Sequence, residues 1–242
     1  MTAAVFKSDR GSFFYPGMAI IAVAAVLTGF STTYLIPVAR LQFGGPIIAH
    51  IHGGLFFAWM ALVTAQPLLI RTHRWQLHQK LGLVALPLAV AMAMSGTGVG
   101  LYAVRRDLAA GAGDIGYSSL IGVLTTMAIF VALVAAAIAL RKRPAWHKRM
   151  ILLATIAILW PAWFRFRHLM LWVPRPDIWL AVVLSDSLIL VAALRDQFAF
   201  GRVHPAYWIF GSALVAEHVA EALLFDSPPW RAAAKVIYSM LG

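Results

Sequence analysis

Seven stretches of mostly apolar residues follow one another along the chain, each bounded by charged residues, proline or glycine. A helix that spans a bilayer needs about 20 such residues, so the pattern predicts seven transmembrane helices. The sixth stretch is the shortest and also fits a tilted or re-entrant segment. The predicted spans are Gly17–Ile36, Ile48–Ile70, Leu81–Leu101, Ser118–Leu140, Met150–Trp172, Ile178–Leu194 and Ala206–Phe225.

The pattern predicts an all-α fold, a polytopic membrane helix bundle with about seven transmembrane helices. The loops between the spans are too short to hold a further domain. The predicted organisation is a cytoplasmic N-terminal segment over residues 1–16, a single seven-helix transmembrane domain over 17–225 and a short C-terminal segment over 226–242.

Composition narrows the chemistry that the chain can carry. With 62% hydrophobic and 12% charged residues, and a mean hydropathy of +0.81, the chain falls outside the range of water-soluble globular domains. It contains no cysteine, which excludes disulfides, thiolate zinc sites and iron–sulfur clusters. Any metal or haem ligand must therefore come from His, Met, Asp or Glu.

The net charge of +11 does not indicate nucleic-acid binding, because the Lys and Arg residues lie in short clusters between the apolar stretches. Cytoplasmic loops of membrane proteins are enriched in these residues. Alternating spans place twelve of the 20 basic residues on the side of the N-terminus. The sequence therefore predicts a multi-pass protein of the bacterial inner membrane, with its N-terminus in the cytoplasm and the lipid bilayer as its surroundings.

The informative residues in such a chain are ionisable ones in or next to the spans, since each is costly there unless it is paired or hydrated. They form two predicted layers. The inner layer contains His73, His78, His147 and His204. The outer layer contains His50, His52, Arg165, Arg167 and His168, with Asp186 in the sixth span and Glu217, His218 and Glu221 in the seventh.

Two spans carry a histidine in each layer. His147 and His168 are 21 positions apart, which on one helix gives about 30 Å and places them within about 60° of the same face. His204 and His218 are 14 positions apart, or about 21 Å with about 40° of divergence. Paired imidazoles from neighbouring helices, stacked in two layers, are what a membrane cytochrome needs to hold b-type haem.

The leading hypothesis is therefore an integral membrane redox protein, a possible oxidoreductase, that binds haem b and transfers electrons. A quinone or other lipid-soluble molecule would be its substrate, and a respiratory protein its partner. His52 with His168 or His218 would form the outer haem site, and His78 with His147 or His204 the inner one. Arg165 and Arg167 would hold the haem propionates, because guanidinium groups pair with carboxylates through two hydrogen bonds.

A second hypothesis is a membrane metalloenzyme, a hydrolase or oxygenase, with zinc or non-haem iron near the outer face. Mixed carboxylate and imidazole ligands suit these metals and leave a position open for water or oxygen. His50 and His52 are two apart, so on a regular helix only one of them would face the bundle. The candidate ligands are His50, His52, His168, Asp186, Glu217, His218 and Glu221.

Two further interpretations stay open. Glu217 or Glu221 could form a structural ion pair with Arg165 or Arg167. The protein could also be a transporter or an assembly subunit of a respiratory complex, in which Asp186 and Glu217 are proton-carrying or packing residues.

Four motifs carry a resemblance to known proteins. They are His50-Ile-His-Gly-Gly-Leu-Phe-Phe-Ala-Trp, Gln66-Pro-Leu-Leu-Ile-Arg, Leu77-His-Gln-Lys-Leu-Gly and Trp146-His-Lys-Arg-Met-Ile-Leu-Leu-Ala-Thr. Over about the first two thirds of the chain they resemble a group of bacterial predicted membrane proteins without an assigned activity, whose shared histidines fall here on His52, His78 and His147. In arrangement alone, the chain is also similar to haem b cytochromes of the transmembrane ferric-reductase and ascorbate-oxidising type. That likeness implies haem held between histidines of neighbouring helices.

Overall fold

A computed structural model describes residues 12–242, which form eight helices and no strands. Lys7 and Arg10, which contribute to the predicted charge of the N-terminal segment, lie outside the described residues. The helices are α1 Phe14–Ala39, α2 Ile47–Arg71, α3 Trp75–Ala109, α4 Gly113–Ala139, α5 Pro144–His168, α6 Asp177–Phe200, α7 Tyr207–Leu224 and α8 Pro228–Leu241.

Helices α1 to α6 are each long and apolar enough to cross a membrane. Helices α7 and α8 pass the same test only as a pair, and the chain bends by 102° between them. The all-α membrane bundle is thus confirmed, with six spans, or seven if the bent pair is counted as one. The sixth stretch is longer than its apolar core suggested, because α6 has 24 residues and extends about 36 Å.

The helices run up and down through the bundle, so each short loop lies at one of its two ends. The Tyr34 hydroxyl bonds His50 Nδ1 at 3.0 Å, which joins the end of α1 to the start of α2. The Arg71 guanidinium, at the end of α2, lies 3.6 Å from the ring centroid of Phe13, just before α1. We call the end at which α1 begins the proximal end and the opposite one the distal end.

Helix α5 lies at the centre of the bundle. Of its most apolar 18-residue stretch, 61% is buried inside the protein, the largest share among the six spans. Trp59 of α2 donates a hydrogen bond to Thr155 of α5 at 3.3 Å and packs edge-on against Phe130 of α4 at 4.8 Å. The outside of the bundle is lined by exposed apolar side chains such as Ile20 and Met94, as expected of a surface that faces lipid.

Several helices depart from regular α geometry, and this changes which residues share a face. The α-helix of α5 is interrupted at Ile158 and Leu159, and its last turn, Arg165–His168, is a 3-10 helix. The predicted shared face of His147 and His168 assumed an unbroken α-helix, and the structure does not have one between these two residues. Wider π turns occur in three other helices, at Ser31–Leu35, Asp177–Leu184 and Tyr207–Gly211. Such turns are rare and are frequent at functional sites.

Helix α8 closes the distal end. Trp230 donates a hydrogen bond to the backbone oxygen of Ser118 at 2.8 Å, and Lys235 pairs with Asp114 at 2.6 Å. Ser118 and Asp114 both lie just before the regular α-helical part of α4, which begins at Ser119. Exposed Val236 and Met240 lie on the same helix, so α8 has the two-sided character of a helix at a membrane surface.

Candidate functional site

The clearest polar cluster in the spans joins α6 and α7 in the distal half of the bundle. His218 Nδ1 lies 2.8 Å from Asp186 Oδ1, and the two side chains are only 4% and 8% exposed. Asp186 comes two residues after the π turn of α6, and His218 comes seven residues after that of α7. A carboxylate at Asp186 accepts a hydrogen from Nδ1, which leaves Nε2 of His218 facing the rest of the cluster.

Two glutamates of α7 complete the cluster. Glu217 Oε2 lies 3.8 Å from His218 Nε2. One turn further along, the Glu221 carboxylate packs directly against Gly122 of α4, where any side chain would overlap with it. Two carboxyl groups therefore flank one imidazole, and a third lies about one turn further along the same helix. We call Asp186, Glu217, His218 and Glu221 the distal cluster.

The distal cluster has buried oxygen atoms that no donor reaches. Among the described residues, neither Asp186 Oδ2 nor Glu217 Oε2 has a hydrogen-bond partner. A buried carboxylate oxygen without a donor is costly, and carboxylates this close to one another repel. A proton or another cation would relieve both costs. Asp186, Glu217, His218 and Glu221 are four of the seven residues predicted above as metal ligands, and that role stays a prediction.

The other predicted metal ligands do not join this cluster. His50 bonds the Tyr34 hydroxyl, His52 bonds Ser95 Oγ at 3.0 Å, and His168 is exposed. His50 thus contacts α1 and His52 contacts α3. Within residues 12–242, no three His, Asp or Glu side chains are arranged to hold a metal ion.

The alternative of a glutamate–arginine ion pair is wrong. Arg165 donates to the backbone oxygen of Pro161 at 2.8 Å and lies over the Phe30 ring at 4.2 Å. Arg167 donates to the backbone oxygen of Phe164 and lies over the ring of the same residue at 3.9 Å. In the described part of the chain neither arginine pairs with a glutamate of α7, because the 3-10 turn directs both back along α5.

His52 has a defined hydrogen-bonding state. Ser95 Oγ donates its only hydrogen to the backbone oxygen of Met92 at 3.1 Å, so it must accept from His52 Nδ1. The free lone pair of His52 is consequently on Nε2. Arg165 acts electrostatically on this imidazole from α5. Gly96 makes room for the ring, since a Cβ there would lie 3.2 Å from His52 Cε1.

Two of the predicted haem ligands, His78 of α3 and His147 of α5, lie at the proximal end, each near the start of its helix. His147 Nδ1 donates to the backbone oxygen of Ala137 at 2.8 Å, which again leaves Nε2 free. His204, the alternative inner ligand, lies elsewhere, edge-on to Trp146 at 4.7 Å.

A second proximal feature was missed by sequence reasoning. Arg149 and Asp196 form a two-pronged ion pair, with both nitrogen–oxygen distances 2.7 Å and side-chain exposures of 0% and 1%. The rings of Phe200 and Tyr207 flank the guanidinium. His204 lies beside it in the loop before α7, where burial and the charge of Arg149 lower the pKa of His204 to about 4.

One feature of the sequence, Pro144, could have shown that Arg149 lies inside a helix. Pro144 is a good residue for the first turn of a helix, and α5 does begin there. Starting the fifth helix at Pro144 rather than Met150 would have placed Arg149 inside the helix instead of in a loop.

Comparisons of the chain with protein-family models, with curated proteins and with solved structures find no match.

Proposed function

We propose that the protein moves protons across the membrane and that the distal cluster is its proton-binding site. The observation that carries this proposal is the His218 imidazole held between Asp186 and Glu217 within the membrane-spanning part of the chain. Ionisable residues at such positions commonly mark proton relays. The free oxygens of the cluster can accept a proton, and the imidazole can pass one between its two nitrogens.

Polar groups at the other end of the same helices support the proposal. Asp196 lies ten residues beyond Asp186 on α6, about 15 Å along the axis. Tyr207 begins α7, and His204 lies in the loop just before it. Protons that leave the distal cluster toward the proximal end would therefore meet a second set of ionisable groups.

A narrow apolar layer separates the two sets. At Gly211, in the π turn of α7, an added Cβ would lie 2.9 Å from Ile189 of α6 and 3.7 Å from Leu153 of α5. Three helices thus meet closely at a point where α7 changes its winding. A small rearrangement of this layer would admit water to one side at a time, which is what directional transport of protons requires.

The test is proton flux into liposomes that contain the purified protein and a trapped pH-sensitive dye, driven by an imposed membrane potential. Asp186→Asn keeps an acceptor for His218 but cannot hold the charge, so we expect it to lower flux at least about tenfold. Asp177→Asn, the same change on the same helix at an exposed residue, should leave flux unchanged.

Flux that does not exceed that of protein-free liposomes would overturn the proposal. So would an equal loss in the Asp177 and Asp186 variants. Circular dichroism and melting temperature of both variants establish that they are folded.

A second candidate function, electron transfer by haem b at the distal end, is favoured by the open Nε2 of His52. A fixed Nδ1–H is the usual state of a ligating histidine, and Arg165 lies at the same, distal, end of the bundle. When bound, the haem would supply one-electron chemistry; the chain would hold it through His52 and orient it through Arg165.

Absorption spectra of the purified protein, oxidised and reduced, test this candidate. We expect a Soret band that disappears in His52→Ala and persists in His50→Ala, since His50 is engaged by Tyr34. A wild-type spectrum without that band, from cells supplied with a haem precursor, would exclude the candidate.

A further inference from the structure

A line of polar side chains connects the distal surface of the bundle with the distal cluster, along the contact between α4 and α7. It begins at Asp226, in the bend between α7 and α8. Asp226 Oδ1 accepts hydrogen bonds from Ser118 Oγ and from Arg231 Nε, both at 2.7 Å. The side chains of Asp226 and Arg231 are 20% and 40% exposed, so water reaches this corner of the protein.

Two serines continue the line into the protein on α4. Ser118 and Ser119 come four and three residues before Gly122, which places them on the same face of the helix as Gly122. That face is turned toward α7, because a Cβ at Gly122 would point at Glu221. Ser119 Oγ is buried, and within residues 12–242 it has no hydrogen-bond partner. A buried hydroxyl of this kind is uncommon and indicates a role that the other described side chains do not account for.

Glu221 lies at the inner end of the line. A Cβ added at Gly122 would lie 2.6 Å from Glu221 Cδ and 3.0 Å from Oε2. Glu217 comes one turn earlier in the regular part of α7, so the two glutamates share a face of the helix, with about 5–6 Å between their Cβ atoms. Glu217 in turn lies 3.8 Å from the imidazole of His218. Glu221 is half-buried, whereas His218 is only 4% exposed, so Glu221 is the member of the cluster nearer to water.

We propose, on the basis of the proton movement proposed above, that Glu221 carries protons between the distal surface and the rest of the distal cluster. Gly122 is the positioning residue that provides the space for its carboxylate. In each passage Glu221 takes one proton from the surface side, gives it to Glu217 and is again a carboxylate. The apolar layer at Gly211 lies on the other side of the cluster, so this route serves the distal side alone.

The contact at Gly122 allows the position of the carboxylate to be changed without separating the helices. The atoms that an added Cβ would meet are the far end of a flexible side chain, not backbone. In Gly122→Ala the Glu221 carboxylate therefore rotates away from its place beside α4, and the bundle keeps its packing. Aspartate at position 221 is one methylene shorter and would leave room for the new methyl group.

The first test measures proton flux in the liposome assay described above. We expect Gly122→Ala and Glu221→Gln each to lower flux at least about tenfold. Adding Glu221→Asp to Gly122→Ala should restore most of the flux, because the overlap is removed and a carboxylate is kept. Adding Glu221→Ala instead removes the overlap but supplies no carboxylate, so flux should stay low. Gly54→Ala is the matched control, since no atom lies within 4 Å of its added Cβ, and it should leave flux unchanged.

The second test measures access of water to position 221 and does not depend on flux. The chain contains no cysteine, so a single introduced thiol can be labelled selectively. In liposomes, Glu221→Cys should react with a membrane-impermeant thiol reagent. Ile189→Cys, in the apolar layer on α6, should not react.

The outcomes separate this route from the proposed function itself. Flux that is lost in Asp186→Asn but unchanged in Glu221→Gln would overturn the route and leave the distal cluster as the proton-binding site. Equal rescue of Gly122→Ala by aspartate and by alanine, rescue by neither, or an unreactive Glu221→Cys would also overturn the route. Absence of flux in the unmodified protein would overturn both. Unchanged melting temperatures would show that the variants are folded.

Discussion

Replacing Asp196 with alanine is expected to lower the free energy of unfolding by about 3–5 kcal/mol. The change leaves the Arg149 guanidinium buried between α5 and α6, where water cannot reach it. The guanidinium also donates to the backbone oxygen of Ala145, which is a neutral acceptor and does not replace the lost carboxylate charge. An uncompensated buried charge is among the most damaging defects that one substitution can introduce.

Two control variants distinguish the cost of an unpaired buried charge from the cost of losing an ion-pair contact. Asp177→Ala removes the ion pair with Arg175, whose side chains are 42% and 62% exposed, and we expect a change below about 1 kcal/mol. The double variant Arg149→Met with Asp196→Leu removes both charges and should regain most of the stability that Asp196→Ala loses. Unfolding in mixed micelles of increasing SDS content measures all three. A loss below about 1 kcal/mol for Asp196→Ala would mean that water or another group compensates the arginine.

The spans were predictable because the length of an apolar stretch is a local property. Each predicted stretch lies on one of the helices α1 to α7, and most errors concern the ends, where charged residues extend the helices beyond the apolar core. Arg149 is the instructive case: it was assigned to a loop, although α5 begins at Pro144 and buries it. The pair with Asp196 joins residues 47 positions apart and depends on how two helices pack.

The distal cluster was predictable only in part. Its members were recognised one by one, because a carboxylate or an imidazole inside an apolar stretch is conspicuous. The contact between Asp186 and His218 depends on the rotation of α6 and α7, and each π turn shifts that rotation relative to a count of 100° per residue. The count for His147 and His168 did not allow for the interruption at Ile158 and Leu159, although Pro161 follows it directly and lacks the N–H that would bond back to Ala157.

The second large effect on stability is expected where the backbones of α1 and α5 are in close contact. Gly29 of α1 faces Ala162 of α5, and a Cβ at Gly29 would overlap with the carbonyl oxygen of Ala162 and lie 2.8 Å from its carbonyl carbon. These are backbone atoms, which cannot rotate away as the end of a side chain could. Small residues at such crossings let membrane helices approach closely. Gly29→Ala therefore forces α1 and α5 apart, and we expect it to destabilise the protein by about 3 kcal/mol.

Gly17→Ala is the matched control, because it makes the same change on the same helix where no atom lies within 4 Å of the new Cβ. It should be neutral or slightly stabilising, since alanine favours a helix over glycine. The same unfolding measurement applies to both variants. Separation of the helices would also displace Phe30, next to Gly29, from beneath the Arg165 guanidinium. Equal stability of the two alanine variants would show that α1 and α5 are not in backbone contact, and the packing that places Arg165 near His52 would then have to be different.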